Sequence, residues 1–254
     1  MIHSTAIIDP KAELADDVIV GPYSMIGPGV TIDSGTEIGP HVVIKGPTTI
    51  GKHNKIFQFS SIGEDPQDLR FEGEDVRLEI GDHNTIRESC TLNRGTAHGG
   101  GLTRLGDYNL LMAYVHLGHD CFVGNHVVMA NNATLAGHVI VEDHAVLGGL
   151  SAVHQFCHIG THSFASGGSM IAKDVPPYVK VSGYYAKPFG LNSVGLARKG
   201  FSSERLAQIK KIYKIIYRQN LTAKEAIESI KALDYEDAPI FLNILEKSER
   251  GIVR

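Results

Sequence analysis

Every sixth residue from Ile2 to Ile62 is aliphatic: Ile2, Ile8, Leu14, Val20, Ile26, Ile32, Ile38, Ile44, Ile50, Ile56 and Ile62. The position two before each, from Ala6 to Ser60, carries a small or modest side chain. The pattern breaks around EDPQDLRFEGEDVR, returns at Ile80, Ile86 and Leu92, and breaks again at 95–102, where GGG occupies 99–101. It resumes one step out of phase at Leu105 and runs to Ile171, with only Ala165 weak. A helix of 3.6 residues per turn would scatter such a column around its surface, so helix is excluded here. The pattern fits a parallel β-helix of hexapeptide repeats, in which about three hexads close one triangular coil of ~18 residues. The aliphatic residue and its small partner point inward and stack on the coils above and below. Gly21, Gly27, Gly39, Gly51 and Gly63 follow inward aliphatics and are expected where the backbone turns with positive φ. The breaks, near 64–77 and 95–102, are expected as loops expelled from the prism, where function often resides.

A narrow core of this kind has little room for large rings. The chain has no Trp and only 7% aromatic residues. Cys90, Cys121 and Cys157 all fall in the inward small column and read as buried thiols. A nucleophilic Cys121 beside His119 is the sharper alternative, but its side chain should face the interior. An odd cysteine count without CxxC argues against a disulfide scaffold and for a reducing, cytoplasmic setting. The start, MIHSTAIIDPK, shows no basic segment followed by an apolar stretch, so no secretory signal is expected. No apolar run approaches the ~18 residues that span a bilayer. A net charge of -4 argues against nucleic acid as the main partner.

After Ile171, the two prolines of KDVPPYV are expected to end the repeat. The chain then reads as helical. Ser202 can cap one helix and Thr222 with Glu225 forms a capping-box pattern for a second. A third should begin near Asp237 or Ala238. The expected fold is therefore all-β plus α: a left-handed parallel β-helix over 1–187 and a small α-helical domain over 188–254. Residues 198–218 carry seven basic residues against one acidic residue, Glu204. They form either a solvated helix face or a docking surface for an acidic partner.

The histidines are crowded. Eight of the thirteen lie between His116 and His162. His126, His144 and His162 recur every 18 residues and should form one vertical column, read as a surface or interface ladder. A zinc site is tested by spacing. The γ-class carbonic anhydrases set three zinc histidines apart by about 36 and 5 residues. His126 and His162 match the first interval, but position 167 is Gly. No metal is expected. In VHLGHDCFVGN, Leu117 points inward, which puts His119 on an outer face with Asp120 beside it. A carboxylate next to an imidazole fixes its tautomer and stabilises the imidazolium, as a general base requires. His116, His138 and His154 should lie on nearby coils, and Gly137 could offer an unobstructed N–H to an oxyanion.

The stretches IGEDPQDLRFEGE, IRESCTLNRGT, GGGLTRLGDYNLLM, VHLGHDCFVGN, ANNATLAGHV, GGLSAVHQFCHIG, DVPPYV and KPFGLNSVGLARKGF resemble the UDP-N-acetylglucosamine 3-O-acyltransferases of lipid A biosynthesis. The resemblance covers essentially the whole chain. It implies transfer of a 3-hydroxyacyl chain from acyl carrier protein to the sugar 3-hydroxyl, without cofactor or acyl-enzyme, in a cytoplasmic homotrimer. It implies His119 as base, Asp120 as its orienting partner and Gly137 as oxyanion donor. Asp68, Arg70 and His116 match sugar-contacting positions. His138, His154 and Gln155 match the groove for nucleotide sugar and acyl-pantetheine. Asn192, Arg198 and Lys199 match the uridine and phosphate region. The sequence departs from relatives at Asn93 and Tyr185, where His is found, and at Arg70, where Lys is common. The run SGGSM at 166–170 falls where the acyl chain should end. A UDP-sugar N-acyltransferase is the nearest alternative, and a non-catalytic or metal-binding hexapeptide scaffold the more distant one.

Overall fold

The computed structural model describes residues 1–254. Short strands stack into three sheets of nine, eight and ten strands, the faces of a triangular prism, parallel throughout except for the last strand of the ten. The chain visits the three sheets in turn, as in the successive strands His116–Leu117, Phe122–Val123 and Val128–Met129. The second residue of each of these strands is buried in the prism, as the six-residue period requires. Register keeps like residues in line: Leu117 pairs with Leu135, and Leu135 with Val153. The inward columns form one apolar core of 41 buried residues. Three asparagines of the inward columns, Asn54, Asn84 and Asn109, are paired along the axis. Asn54 Oδ1 accepts from Asn84 N–H at 2.9 Å, and Asn84 Oδ1 accepts from Asn109 N–H at 2.9 Å. Buried amides satisfied in this way do not tax the fold.

Coil length explains the phase. Val127 binds Asn109 across 18 residues, the ordinary coil. Asn84 binds Asn54 across 30, the coil that expels the first loop. Thirty is a multiple of six, so the hexad phase survives. Asn109 binds Asn84 across 25, the coil that expels the second loop, and the phase slips by one.

The corners correct the expectation for glycine. Gly63 has φ 74°, but Gly21, Gly27, Gly39 and Gly51 are not in the left-handed region. They are small because the coils crowd them: a Cβ at Gly21 would meet Gly39 C at 2.7 Å, and one at Gly51 would meet Asp82 Oδ1 at 2.2 Å. Most left-handed corner positions carry side chains instead, among them Asp120, His126, His138, His144 and His162. That conformation costs an L-residue roughly 1–2 kcal/mol. Stacked rings return a comparable amount, about 0.5–1.5 kcal/mol per pair. The His126, His144 and His162 rings stack at 4.8 and 4.5 Å, so the 18-residue column is a ladder along one corner.

The prolines do not end the prism. Val175 bridges Ile159, and Val181 pairs with Ala165, so the inward stacking continues past Pro176 and Pro177. Those two prolines sit in the turn between, where no ladder N–H is needed. Strand Lys187–Leu191 then adds antiparallel to Val179–Ser182, across the expected division at 187/188.

Four helices follow: α1 (Ser193–Arg198), α2 (Ser203–Arg218), α3 (Ala223–Lys231) and α4 (Ala238–Lys247). The short α1 has no side-chain cap on Asn192 and no capping pattern in sequence to announce it. Ser202 caps α2 by accepting from Arg205 N–H, and Thr222 with Glu225 forms the capping box of α3. The helices bury a second core of ten residues that includes Tyr178, Leu196, Ile209 and Phe241. The chain end returns to the prism, where Val253 N–H donates to Asp174 O at 2.9 Å.

Candidate active site

The turn after the strand His116–Leu117 forms one corner of the prism. Leu117 is buried, which sends the next residues outward. Asp120 adopts φ 57°, yet it is only 3% exposed. Its Oδ2 lies 2.8 Å from His119 Nδ1. A carboxylate can only accept there, so Nδ1 carries the proton and Nε2 keeps its lone pair. The His119 side chain remains 13% exposed at the surface. One coil further, His138 sets its ring edge-on to His119 with centroids 5.1 Å apart. Its Nε2 stands 3.7 Å from Asp120 Oδ2. Burial pushes the His138 pKa below the usual histidine value, against the pull of Asp120.

Gly137 faces the His119 ring, and its N–H donates no hydrogen bond within the chain. His116 also has its pKa lowered, chiefly by burial, and its Nδ1 is 2.7 Å from Thr91 Oγ1.

The first expelled loop reaches the same corner. Arg70 Nη2 donates to Asp68 Oδ2 at 2.9 Å, and this bond holds the Asp68 carboxyl well below the usual carboxylate range. Both meet His98 of the second loop: His98 Nε2 is 3.2 Å from Asp68 Oδ2 and 2.6 Å from Arg70 Nη2. Thr96, Thr103 and His98 were absent from the sequence-derived site. Thr96 N–H and Oγ1–H donate to Asp120 at 2.9 and 2.6 Å, and Thr103 Oγ1 accepts from Asp120 N–H at 2.7 Å. The stretches IRESCTLNRGT and GGGLTRL contain both threonines, but no spacing rule points either one at Asp120.

The remaining expected residues lie further off. Phe156 stacks on His138 at 4.5 Å, which puts exposed His154 and Gln155 about one coil beyond. His154 borders a cleft of about 480 Å³ with Lys173, Tyr185, Lys187, Arg250 and Arg254. Asn192 Nδ2 donates to His162 O at 3.0 Å, so it stands on the corner of the histidine ladder. Arg198 and Lys199 are exposed at the end of α1. A single chain therefore gathers His119, Asp120, Gly137, His138, His116, Asp68 and Arg70, and leaves Asn192 and Arg198 on another corner.

Two chemistries can be compared at this corner. His119, Asp120 and His138 offer one ligand atom each within 4.8 Å, a set able to take a cation. The free Nε2 lone pair, the buried carboxylate and the unpaired N–H suit proton transfer and oxyanion binding. Cys121 takes no part: it is buried, Sγ–H donates to Ala136 O at 3.1 Å, and burial pushes the thiol up to about 12.

These features define a class: a hexapeptide-repeat β-helix protein with an acid–base pair on one corner. An acyl-[acyl-carrier-protein]–UDP-N-acetylglucosamine O-acyltransferase of Ectopseudomonas mendocina is 53% identical over 100% of this chain and 99% of its own length. The chain belongs to that O-acyltransferase family. The relative of the same name from Thiobacillus denitrificans is also 53% identical, with the same coverage. A solved LpxA from Acinetobacter baumannii superposes with TM-score 0.97 at 50% identity, covering 100% of this chain and 99% of that one. The Francisella novicida UDP-N-acetylglucosamine acyltransferase gives 0.98 at 43% identity, covering 100% and 94%. The family described as Udp N-acetylglucosamine O-acyltransferase, Domain 2, matches residues 174–253. No helix is long and apolar enough to cross a membrane.

Proposed function

We propose that this chain transfers a 3-hydroxyacyl group from the phosphopantetheine of acyl carrier protein to the 3-hydroxyl of UDP-N-acetylglucosamine, the first step of lipid A biosynthesis. The observation that carries the reading is the His119 Nδ1–Asp120 Oδ2 contact of 2.8 Å beside the unpaired Gly137 N–H. His119 Nε2 takes the hydroxyl proton as the sugar oxygen attacks the thioester carbonyl. Asp120 stabilises the imidazolium that forms. Gly137 N–H donates to the oxyanion of the tetrahedral intermediate. As the intermediate collapses, the C–S bond breaks and the pantetheine sulfur recovers the proton from His119. No cofactor enters this sequence, and no acyl-enzyme is formed.

Asp68, Arg70 and His116 bind the sugar, while His138, His154 and Gln155 line the groove for nucleotide sugar and acyl arm. Asn192 and Arg198, with Lys199, receive uridine and phosphates, where a guanidinium suits a pyrophosphate. Because they stand on a different corner from His119, two neighbouring protomers complete each site in a cytoplasmic homotrimer. The exposed lysines of α2 receive the acidic carrier protein.

The test is incubation with UDP-N-acetylglucosamine and a panel of 3-hydroxyacyl carrier proteins, with the products weighed. An O-acylated sugar nucleotide is expected. His119→Ala should lower turnover by about 10²–10⁴-fold while the protein stays folded. Near-normal activity of that variant sinks the mechanism. Chelation should leave turnover intact; loss on chelation and recovery with zinc would instead assign His119, Asp120 and His138 to a metal.

A further inference from the structure

Asp120 is held by more than His119. Its Oδ1 accepts from Thr96 N–H at 2.9 Å and its Oδ2 from Thr96 Oγ1–H at 2.6 Å. Thr96 is 1% exposed. It also caps the short 3₁₀ turn Ala97–Gly99, accepting from Gly99 N–H at 3.1 Å. That turn packs directly on the carboxylate: a Cβ at Gly99 would stand 2.2 Å from Asp120 Cγ. With both oxygens assigned, the carboxylate plane is fixed, and so is the direction in which it pins the His119 Nδ1 proton.

The prism does not require this segment. Ordinary coils close in 18 residues, whereas the coil holding the segment takes 25. The extra residues place a buried hydroxyl and N–H on one carboxylate. They also place His98, whose Nε2 is 3.3 Å from Thr96 Oγ1, 3.2 Å from Asp68 Oδ2 and 2.6 Å from Arg70 Nη2. A continuous run of polar groups thus joins the loop at 64–77 to the base.

We propose that the loop 95–102 is a positioning element of the active site. Thr96 orients Asp120, and through it the tautomer and aim of His119. His98 ties that arrangement to Asp68 and Arg70 in the other expelled loop. This inference rests on the acyl-transfer reading above. Neither Thr96 nor His98 touches the reacting atoms, so both are positioning residues.

The test compares Thr96→Val, Thr96→Ser and His98→Leu in the full-length protein. Steady-state kinetics with UDP-N-acetylglucosamine are read beside the low-field proton resonance of the His119 Nδ1–H. Thr96→Val should lower kcat by about ten- to hundredfold, the scale of one hydrogen bond to a charged group, with KM for the sugar nucleotide unchanged. The His119 resonance should be lost. Thr96→Ser restores the hydroxyl and should restore both. His98→Leu should raise KM several-fold and keep the resonance.

Wild-type kcat and an intact resonance in Thr96→Val overturn the proposal. So does a Thr96→Ser variant as impaired as Thr96→Val with the resonance intact in both, which assigns Thr96 to packing. Unchanged KM in His98→Leu overturns the link to the sugar loop. If Thr96→Val does not fold, Thr96→Ala takes its place with the same readouts. A wild-type protein that fails to acylate the sugar defeats the functional reading instead, and the resonance comparison still judges the positioning.

Discussion

The His119 ring lies against Gly137 so closely that a Cβ at position 137 would stand 2.5 Å from Cε1 and 2.6 Å from Nε2. Real Cβ atoms do not approach a ring to that distance, so any side chain there displaces the imidazole. Gly137 is not in the left-handed region, and its backbone accepts alanine without strain. Gly137→Ala keeps the backbone N–H but moves the base, so kcat should fall by about 10²–10⁴-fold, the scale of a lost general base, while the protein stays folded. Unaltered kcat would mean that the position of the His119 ring against Gly137 does not matter to turnover.

Cys121 separates direct transfer from an acyl-enzyme route. It is adjacent to Asp120 in sequence, but its thiol points into the prism and burial pushes it up to about 12. A thiol with so little thiolate at neutral pH is a poor nucleophile. Cys121→Ser retains a group able to donate to Ala136 O and should keep near-normal turnover. Mass spectrometry of the wild-type protein mixed with acyl carrier protein alone should detect no acylated chain. A covalent adduct on Cys121, or loss of activity in the serine variant, counts against direct attack.

The prism was legible because its demand on sequence is simple: one aliphatic and one small residue every six. The pairing of His119 with Asp120 was legible because the two are neighbours in a corner turn whose inward residue, Leu117, can be identified. The glycine expectation failed for a steric reason. Left-handed corners are supported by stacked side chains such as His126 on His144, while Gly21 and Gly51 answer to crowding between coils. The prolines misled because Pro176 and Pro177 occupy a turn, and Val181 resumes the inward column after it. Thr96 and His98 were not legible at all. They lie in an insertion, where no period relates a residue to the coil it touches.

The basic segment of α2 can be divided by its contacts. Arg205 is engaged with Asp237, donating from Nε and Nη2 at 2.9 Å each, and its guanidinium lies over Phe201. Lys211 donates to Tyr235 Oη at 3.0 Å. Lys210 and Lys214 are exposed and make no ion pair or hydrogen bond through their side chains. Reversing these two to Glu should weaken binding of acyl carrier protein, and the loss should shrink as salt is raised. The melting temperature should hold. Calorimetric or fluorescence titration at low and high salt checks this; identical affinity under both conditions leaves the pair as a solvated face.

His162 links the ladder to the helices. It stacks on His144 at 4.5 Å and on Tyr178 at 5.8 Å, and meets Phe201 edge-on at 5.2 Å. Burial, then the nearby charges of His144, Lys199 and Arg205, push its pKa down to about 4 from 6.5; Asp237 opposes them. Between those two values the unfolded chain takes up a proton at this residue and the folded chain does not. Stability therefore falls as pH drops from about 6.5 to about 4, and this group adds no further loss below that. His144 shifts in the same direction, mainly through burial. His162→Phe preserves the stacked ring and removes the proton site. Its melting temperature should decline less steeply than that of the wild type between about pH 7 and pH 4, as followed by calorimetry. Parallel slopes for the two proteins would show that the acid sensitivity arises elsewhere.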